Sequence, residues 1–301
     1  MSDYAALLDG ETRAFIRASA AFAGDSTLAG DRRAYDAMAR AFHAGRPAGI
    51  VTRDIAIEGV PTRDYGPGTD AMVLYLHGGG FVLGGLESHD DICAEICAAT
   101  GFRVIAVDYR LAPEHPHPAA LTDCLAVARV LLDEGAGRVV LAGDSAGGNL
   151  AAALAQGLRA APRLAGLVMV YPGLGGDPDR GSYLRHAHAP MLSRADVLAY
   201  AAMRMGEGAD PLDPSAAPLR AADFSGHPPT LAFAAECDPL CDDAGAYAAR
   251  VTAAGGRAKA IVEPGLVHGY LRARHSVARA AASFERITAA ITELGHGRWP
   301  E

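Results

Sequence analysis

Hydrophobic positions along the chain change their period twice. Apolar residues first recur at helical spacing in two stretches, 11–22 and 32–43, separated by a breaker region from Gly24 to Gly30. From Thr52 the period shortens to two, with Ile55 and Ile57 on one face, and a turn at Gly66 and Pro67 follows, so a sheet is expected to start antiparallel. Six short apolar runs come next, at 71–76, 102–107, 138–142, 164–170, 229–235 and 257–262. Each is bounded by Gly, Pro or Asp, which suits buried strands of a mainly parallel sheet. Helical patterns at 88–99, 118–132, 146–158, 242–254 and 275–294 fill the gaps, and Ser88 followed by Asp91 has the form of a helix cap. This alternation predicts a doubly wound α/β fold. One interval breaks the rhythm: roughly sixty residues separate Tyr171 from Pro229, with a helical stretch at 193–205 and a segment rich in Pro and Asp. A crossover of that length predicts an inserted lid. There is no internal repeat and no low-complexity tract.

The 301 residues leave room for one large core or two modest ones. Half are hydrophobic and 21% charged, so the chain has the means to bury a sizeable core. With 27 basic and 35 acidic residues the net charge is −8, which opposes adhesion to nucleic acid or to an anionic membrane. The longest uncharged run, 71–86, contains His77 and five glycines and is too short to span a bilayer. The first twenty residues mix Asp3, Asp9, Glu11, Arg13 and Arg17 with short apolar pairs, unlike a secretory signal, so a cytoplasmic protein is expected. Five cysteines without a dense framework fit reduced thiols. Cys93/Cys97 and Cys237/Cys241 are each four apart, but neither pair has a partner pair at zinc-ribbon spacing, so no metal site is expected. The single lysine, Lys259, carries no mechanism.

Candidate chemistry centres on 138–142, which runs directly into Gly143-Asp144-Ser145-Ala146-Gly147-Gly148 and then into a helical pattern. This is G-x-S-x-G between a strand and a helix, where small neighbours let the two approach and lift the serine clear of the backbone. Ser145 is the candidate nucleophile. A hydroxyl needs a base to take its proton and a carboxylate to orient that base. Of eleven histidines, His268 alone follows the last predicted strand in a glycine-flanked loop, whereas His275 is expected to open a helix and His296 lies in a polar tail. The loop after the preceding strand offers Asp238; Glu236 belongs to the strand end, and Asp242 and Asp243 suit the first turn of the next helix as caps. The order Ser145, Asp238, His268 is that of the α/β-hydrolase arrangement. Acyl transfer also places negative charge on a carbonyl oxygen, and His77-Gly78-Gly79-Gly80-Phe81 after 71–76 offers a loop whose backbone a substrate oxygen can approach. The Ala146 N–H completes that candidate oxyanion hole. A phosphate-binding loop is the rival reading, but no G-K-S/T follows.

Together with Asp108-Tyr109-Arg110-Leu111-Ala112-Pro113-Glu114-His115-Pro116, Asp238-Pro239-Leu240 and His268-Gly269, these motifs resemble the hormone-sensitive-lipase-like (bacterial family IV) carboxylesterases over residues 35 to 290. The resemblance implies an eight-stranded, mainly parallel α/β-hydrolase sheet flanked by helices, a helical cap, hydrolysis of short- to medium-chain acyl esters, and no cofactor. It makes Ser145, Asp238 and His268 the triad and Gly79, Gly80 and Ala146 the oxyanion donors, with Gly78 shaping the turn and His77 holding the loop. The cap implied would comprise residues 1–48 and 177–220, on a core of 49–176 and 221–301 within one domain; the alternative is that the N-terminal helices simply pack on the core. His117 stands where the family often has an aromatic residue, which reads as a packing change. Tyr183 and Tyr200 are the clearest aromatics of the insertion. The expected partner is a small-molecule ester, and a homodimer is possible. Two alternatives keep the scaffold: an amide or arylformamide hydrolase on the same triad, and a non-catalytic small-molecule receptor.

Overall fold

The computed structural model describes residues 3–300 apart from 26, 68, 69, 135, 136 and 208. Among the described residues three helices precede the sheet: α1 (Tyr4–Leu7), α2 (Gly10–Ser19) and α3 (Leu28–Phe42). Asp9 caps α2 by accepting from the Thr12 amide at 2.8 Å. Thr27 caps α3 by accepting from Gly30, so that helix starts four residues earlier than its periodicity suggested and absorbs part of the predicted breaker; residue 26 of that region lies outside the described residues. The period-two segment then folds as a hairpin of β1 (Thr52–Ile57) and β2 (Val60–Tyr65), turning through Glu58 and Gly59, both at positive φ.

Strands and helices alternate from there: β3 (Ala71–Leu76), α4 (Asp90–Thr100), β4 (Arg103–Val107), α5 (Ala119–Glu134), β5 (Arg138–Asp144), α6 (Ala146–Gly157) and β6 (Leu164–Val170). The long insertion carries α7 (Gly181–Arg185) and α8 (Arg194–Met205), and the chain closes with β7 (Thr230–Cys237), α9 (Cys241–Ala253), β8 (Ala258–Val267) and α10 (Ala278–Gly295). The eight strands lie in the order β1-β2-β4-β3-β5-β6-β7-β8; β2 is antiparallel to both neighbours and the rest of the sheet is parallel. Alternation along β3 sends Val73 and Tyr75 into one core layer, with α4 and α10, and Leu74 and Leu76 into the other, with α5, α6 and α9. Both faces are therefore covered, which is why the central strands read as continuous apolar runs. All five cysteines are free and buried, and among the described residues no helix is long and apolar enough to cross a membrane.

Local signals at helix starts were less reliable. Ser88 does not cap α4: it lies in a 3-10 turn, where its hydroxyl accepts from the Gly85 amide and contacts His89 Nδ1, while Asp91 accepts from Arg274. His275 lies before α10 and meets Glu95 at 2.8 Å instead of opening the helix. Asp242 and Asp243 begin α9 but turn toward the insertion. Asp242 accepts from the Ser182 amide and pairs with Arg185, and Asp243 Oδ2 accepts from the amides of Leu174 and Gly176 and from the Tyr183 hydroxyl. The buried Asp243 finds more donors here than a solvated first turn offers, while Asp242 stays exposed and holds the Ser182 amide and Arg185 from outside, so the two together fasten the insertion to the core. At the other end of the insertion, Ser193 and Asp196 form a capping box for α8, and His117 reaches the loop beyond that helix through Ser215 at 2.9 Å.

Candidate active site

The turn from β5 into α6 is built by what its residues lack. A Cβ on Gly147 would lie 1.8 Å from the Leu76 carbonyl oxygen, and one on Gly143 would lie 2.5 Å from the Gly147 backbone. Only glycine lets strand and helix come that close. Ser145 between them adopts φ 53°, ψ −116°, a conformation costly for a non-glycine residue. Its amide donates to the Val170 carbonyl at 2.8 Å and its carbonyl accepts from Asn149, which fixes the strained turn and leaves the hydroxyl beyond the sheet edge.

Sheet order supplies its partners. Cys237 of β7 pairs with Val267 of β8, so Asp238 and His268, each the next residue along its strand, emerge side by side at one edge. The last strand runs to Val267, five residues past its predicted end, and thereby delivers His268 directly. Its Nδ1 lies 2.7 Å from Asp238 Oδ2, and its Nε2 lies 2.9 Å from Ser145 Oγ. Asp238 is fully buried, and its other oxygen accepts from the Leu240 amide at 2.9 Å. A carboxylate held this way accepts a hydrogen bond from Nδ1–H, so Nε2 faces the serine hydroxyl as an acceptor.

The glycine loop leaves the neighbouring strand. Leu76 pairs with Gly143, which sets 77–80 beside the Ser145 turn. Gly79 and Gly80 have φ of 124° and 63°. Among the described residues the amides of Gly79, Gly80 and Ala146 have no hydrogen-bond acceptor, whereas the Gly78 amide donates to Asp144 Oδ1 at 3.0 Å. His77 is buried and stacks on Tyr109 at 4.2 Å, and its Nδ1 meets the Gly78 carbonyl at 2.8 Å. Burial, with His89 nearby, draws its pKa down to about 3, so the ring is neutral and Nδ1 donates.

Two buried residues of this site had no assigned role in the sequence. Asp144 takes four contacts: the Tyr75 hydroxyl at 2.9 Å, the Gly78 amide, His89 Nε2 at 3.3 Å and the Tyr171 hydroxyl at 3.4 Å. Burial opposes its ionisation, but His89 and the Tyr75 donor outweigh burial and hold the carboxyl well below the usual range. A charged residue closing an apolar strand was the available signal. Tyr171 follows β6 at positive φ, and its ring lies 4.8 Å from that of His268. It fills the space between β5 and β7 at the sheet edge, a position that only the strand order reveals.

The alpha/beta hydrolase fold family model matches residues 73–272. The carboxylesterase NlhH of Mycobacterium tuberculosis is 37% identical over 266 residues, covering 82% of this chain and 83% of that protein. An ethyl acetate hydrolase of Pseudomonas putida is 38% identical over 230 residues, 71% of this chain and 72% of its own. Among solved structures, an esterase of the bacterial hormone-sensitive lipase family superposes with a TM-score of 0.87 at 32% identity, over 98% of this chain and 99% of that one.

Proposed function

The chain belongs to the α/β-hydrolase fold family as a hormone-sensitive-lipase-like carboxylesterase, and from that premise we propose that it cleaves short- to medium-chain acyl esters through an acyl-enzyme on Ser145. The observation that carries this reading is the unbroken line Ser145 Oγ, His268 Nε2, His268 Nδ1, Asp238 Oδ2, with gaps of 2.9 and 2.7 Å.

As Ser145 Oγ attacks the ester carbonyl carbon, its proton passes to His268 Nε2 and the carbonyl π pair becomes an oxyanion. The amides of Gly79, Gly80 and Ala146, held without an acceptor, receive that charge with no reorganisation. Loss of one such donor typically costs about 3 kcal/mol of transition-state stabilisation. Collapse of the intermediate breaks the bond to the alcohol oxygen, which takes the proton from Nε2. Water then attacks the acyl-enzyme, giving its proton to Nε2, and the acid leaves as Oγ is reprotonated. Throughout, Asp238 holds Nδ1–H and stabilises the transient imidazolium. In this reading the cap is drawn from 1–48 and 177–220, whose described residues meet where the Tyr4 hydroxyl lies 3.1 Å from His186 Nδ1.

Ser145→Ala tests the proposal. The variant is expected to keep the circular dichroism of the parent and to lose turnover of p-nitrophenyl butyrate by several orders of magnitude; retained turnover would remove Ser145 from the mechanism.

A further inference from the structure

Helix α8 is docked on the glycine loop at two successive loop residues. A Cβ built on Gly80 would lie 2.6 Å from Cγ and Cδ1 of Tyr200, so the Tyr200 ring rests directly on the Gly80 backbone. Arg204, one turn further along the same face of α8, places its guanidinium carbon 3.6 Å from the centroid of the Phe81 ring. The same guanidinium donates to Asn149 Oδ1 at 3.0 Å, on the helix that Ser145 opens, and to the Ala216 carbonyl at 2.9 Å. These contacts fix α8, and with it Tyr200, relative to the candidate oxyanion donors.

The Tyr200 ring also joins two apolar clusters. One contains Val82, Leu83 and Ala112 with Tyr35 of α3; the other contains Tyr183, Leu192 and Leu240, and Leu240 lies two residues beyond Asp238. The ring thus borders the space between the glycine loop and the acid loop, from both cap segments of the proposed reading. Stereochemistry then decides which part of an ester it meets. Of the four substituents on the tetrahedral carbon, one is Ser145 Oγ, one is the oxyanion facing the loop amides, and one is the leaving oxygen, which must face His268 Nε2. The imidazole is flanked by Tyr171, not by Tyr200. The fourth substituent, the acyl chain, is left to run past the ring on Gly80.

We propose that Tyr200 sets the acyl-length limit of the enzyme, closing the acyl side of the site so that acetyl to butyryl esters are taken in preference to octanoyl and longer ones. The proposal rests on the Ser145 acyl-enzyme reading and adds to it the substrate class. A half-buried ring held between two apolar clusters and the Gly80 backbone excludes additional methylenes sterically, and one methylene misfit in an apolar pocket changes kcat/KM by about tenfold or more.

The test uses the full chain and two ester series: p-nitrophenyl acetate, butyrate, octanoate and decanoate, and acetate esters of alcohols of rising length. Tyr200→Ala is expected to raise the octanoate-to-acetate ratio of kcat/KM at least about tenfold, with Tyr200→Leu intermediate and Tyr200→Phe, which keeps the ring, at the parental ratio. The alcohol series should keep its parental order. Should the alanine variant fail to fold, the leucine variant decides, since it retains most of the packed volume. An unchanged acyl ratio in a folded alanine or leucine variant overturns the proposal, and so does a shift confined to the alcohol series. Failure of the underlying reading looks different: Ser145→Ala would then still turn over p-nitrophenyl acetate.

Discussion

The amide of Gly78 donates to the Asp144 carboxylate at 3.0 Å, so the residue preceding the proposed nucleophile holds the loop that carries the proposed oxyanion donors. Every contact to this carboxylate is one in which it can accept. Asp144→Ala leaves the buried Gly78 N–H without its acceptor, and a misplaced loop of this kind lowers kcat on the order of a hundredfold while KM moves little. Asp144→Asn keeps one oxygen for Gly78 and presents its amide nitrogen to a tyrosine hydroxyl, so it is expected to recover most of kcat. Steady-state kinetics of the two variants, side by side, separate a positioning role from general destabilisation, which would lower both activities in step with folded fraction.

Glycines of the α6 region divide into those the fold needs and those it tolerates. A Cβ at 147 meets the Leu76 carbonyl oxygen at 1.8 Å, backbone against backbone, while a Cβ at 157 meets nothing within 4 Å. Gly147→Ala should therefore cost about 3 kcal/mol or prevent folding, as overpacking of a rigid site does. Gly157→Ala, near the end of the helix, should stabilise by up to about 1 kcal/mol. Urea unfolding monitored by circular dichroism gives both values; a similar change for the two would contradict the close approach of β3 to α6.

Much of this architecture was legible because the strands that build it are buried on both faces. Runs 71–76 and 164–170 coincide with β3 and β6, and residues at the strand ends, Ser145, Asp238 and His268, could be placed from chain order alone. The misreadings have physical causes. The apolar run ends at 262, two residues before Pro264, yet β8 is the sheet's outer strand, where a missing N–H costs no ladder bond, so the strand continues to Val267. Asp243 stands in a first turn whose sequence suits a cap, but its donors, Leu174, Gly176 and Tyr183, lie some sixty residues or more away along the chain. Tyr171 likewise acquires its place against His268 only when β6 is inserted between β5 and β7.

Arg204 is a buried cation whose hydrogen bonds run to neutral oxygens, and burial draws its pKa down to about 9. Its planar fork serves two acceptors and stacks on Phe81 at once, which a lysine ammonium does not reproduce. Arg204→Lys is expected to cost about 2–3 kcal/mol. Arg204→Met removes the buried charge and keeps a flexible apolar stem on Phe81, so it should cost less, about 1 kcal/mol. Thermal or urea midpoints test the order; a lysine variant as stable as the parent would contradict it.

Asp243 links stability to pH with a sign opposite to that of most carboxylates. Burial pushes its pKa up to about 6 from the ordinary 3.8, although the amides of Leu174 and Gly176 and the Tyr183 hydroxyl favour its charged form. Between those two values the native protein keeps a proton that the unfolded chain has released. Stability from this group is therefore greatest below the unfolded value and falls as pH rises through the folded one, by about 3 kcal/mol in all. Asp243→Asn fixes the side chain in a neutral form and cancels that loss. Other groups titrate over the same range, but they do so in both proteins, so the informative quantity is the stability difference between variant and parent. It should shift in favour of the asparagine variant by up to about 3 kcal/mol between about pH 4 and pH 7. A difference that stays constant over that range, measured by urea unfolding, would mean that the insertion's donors hold Asp243 ionised at no net cost.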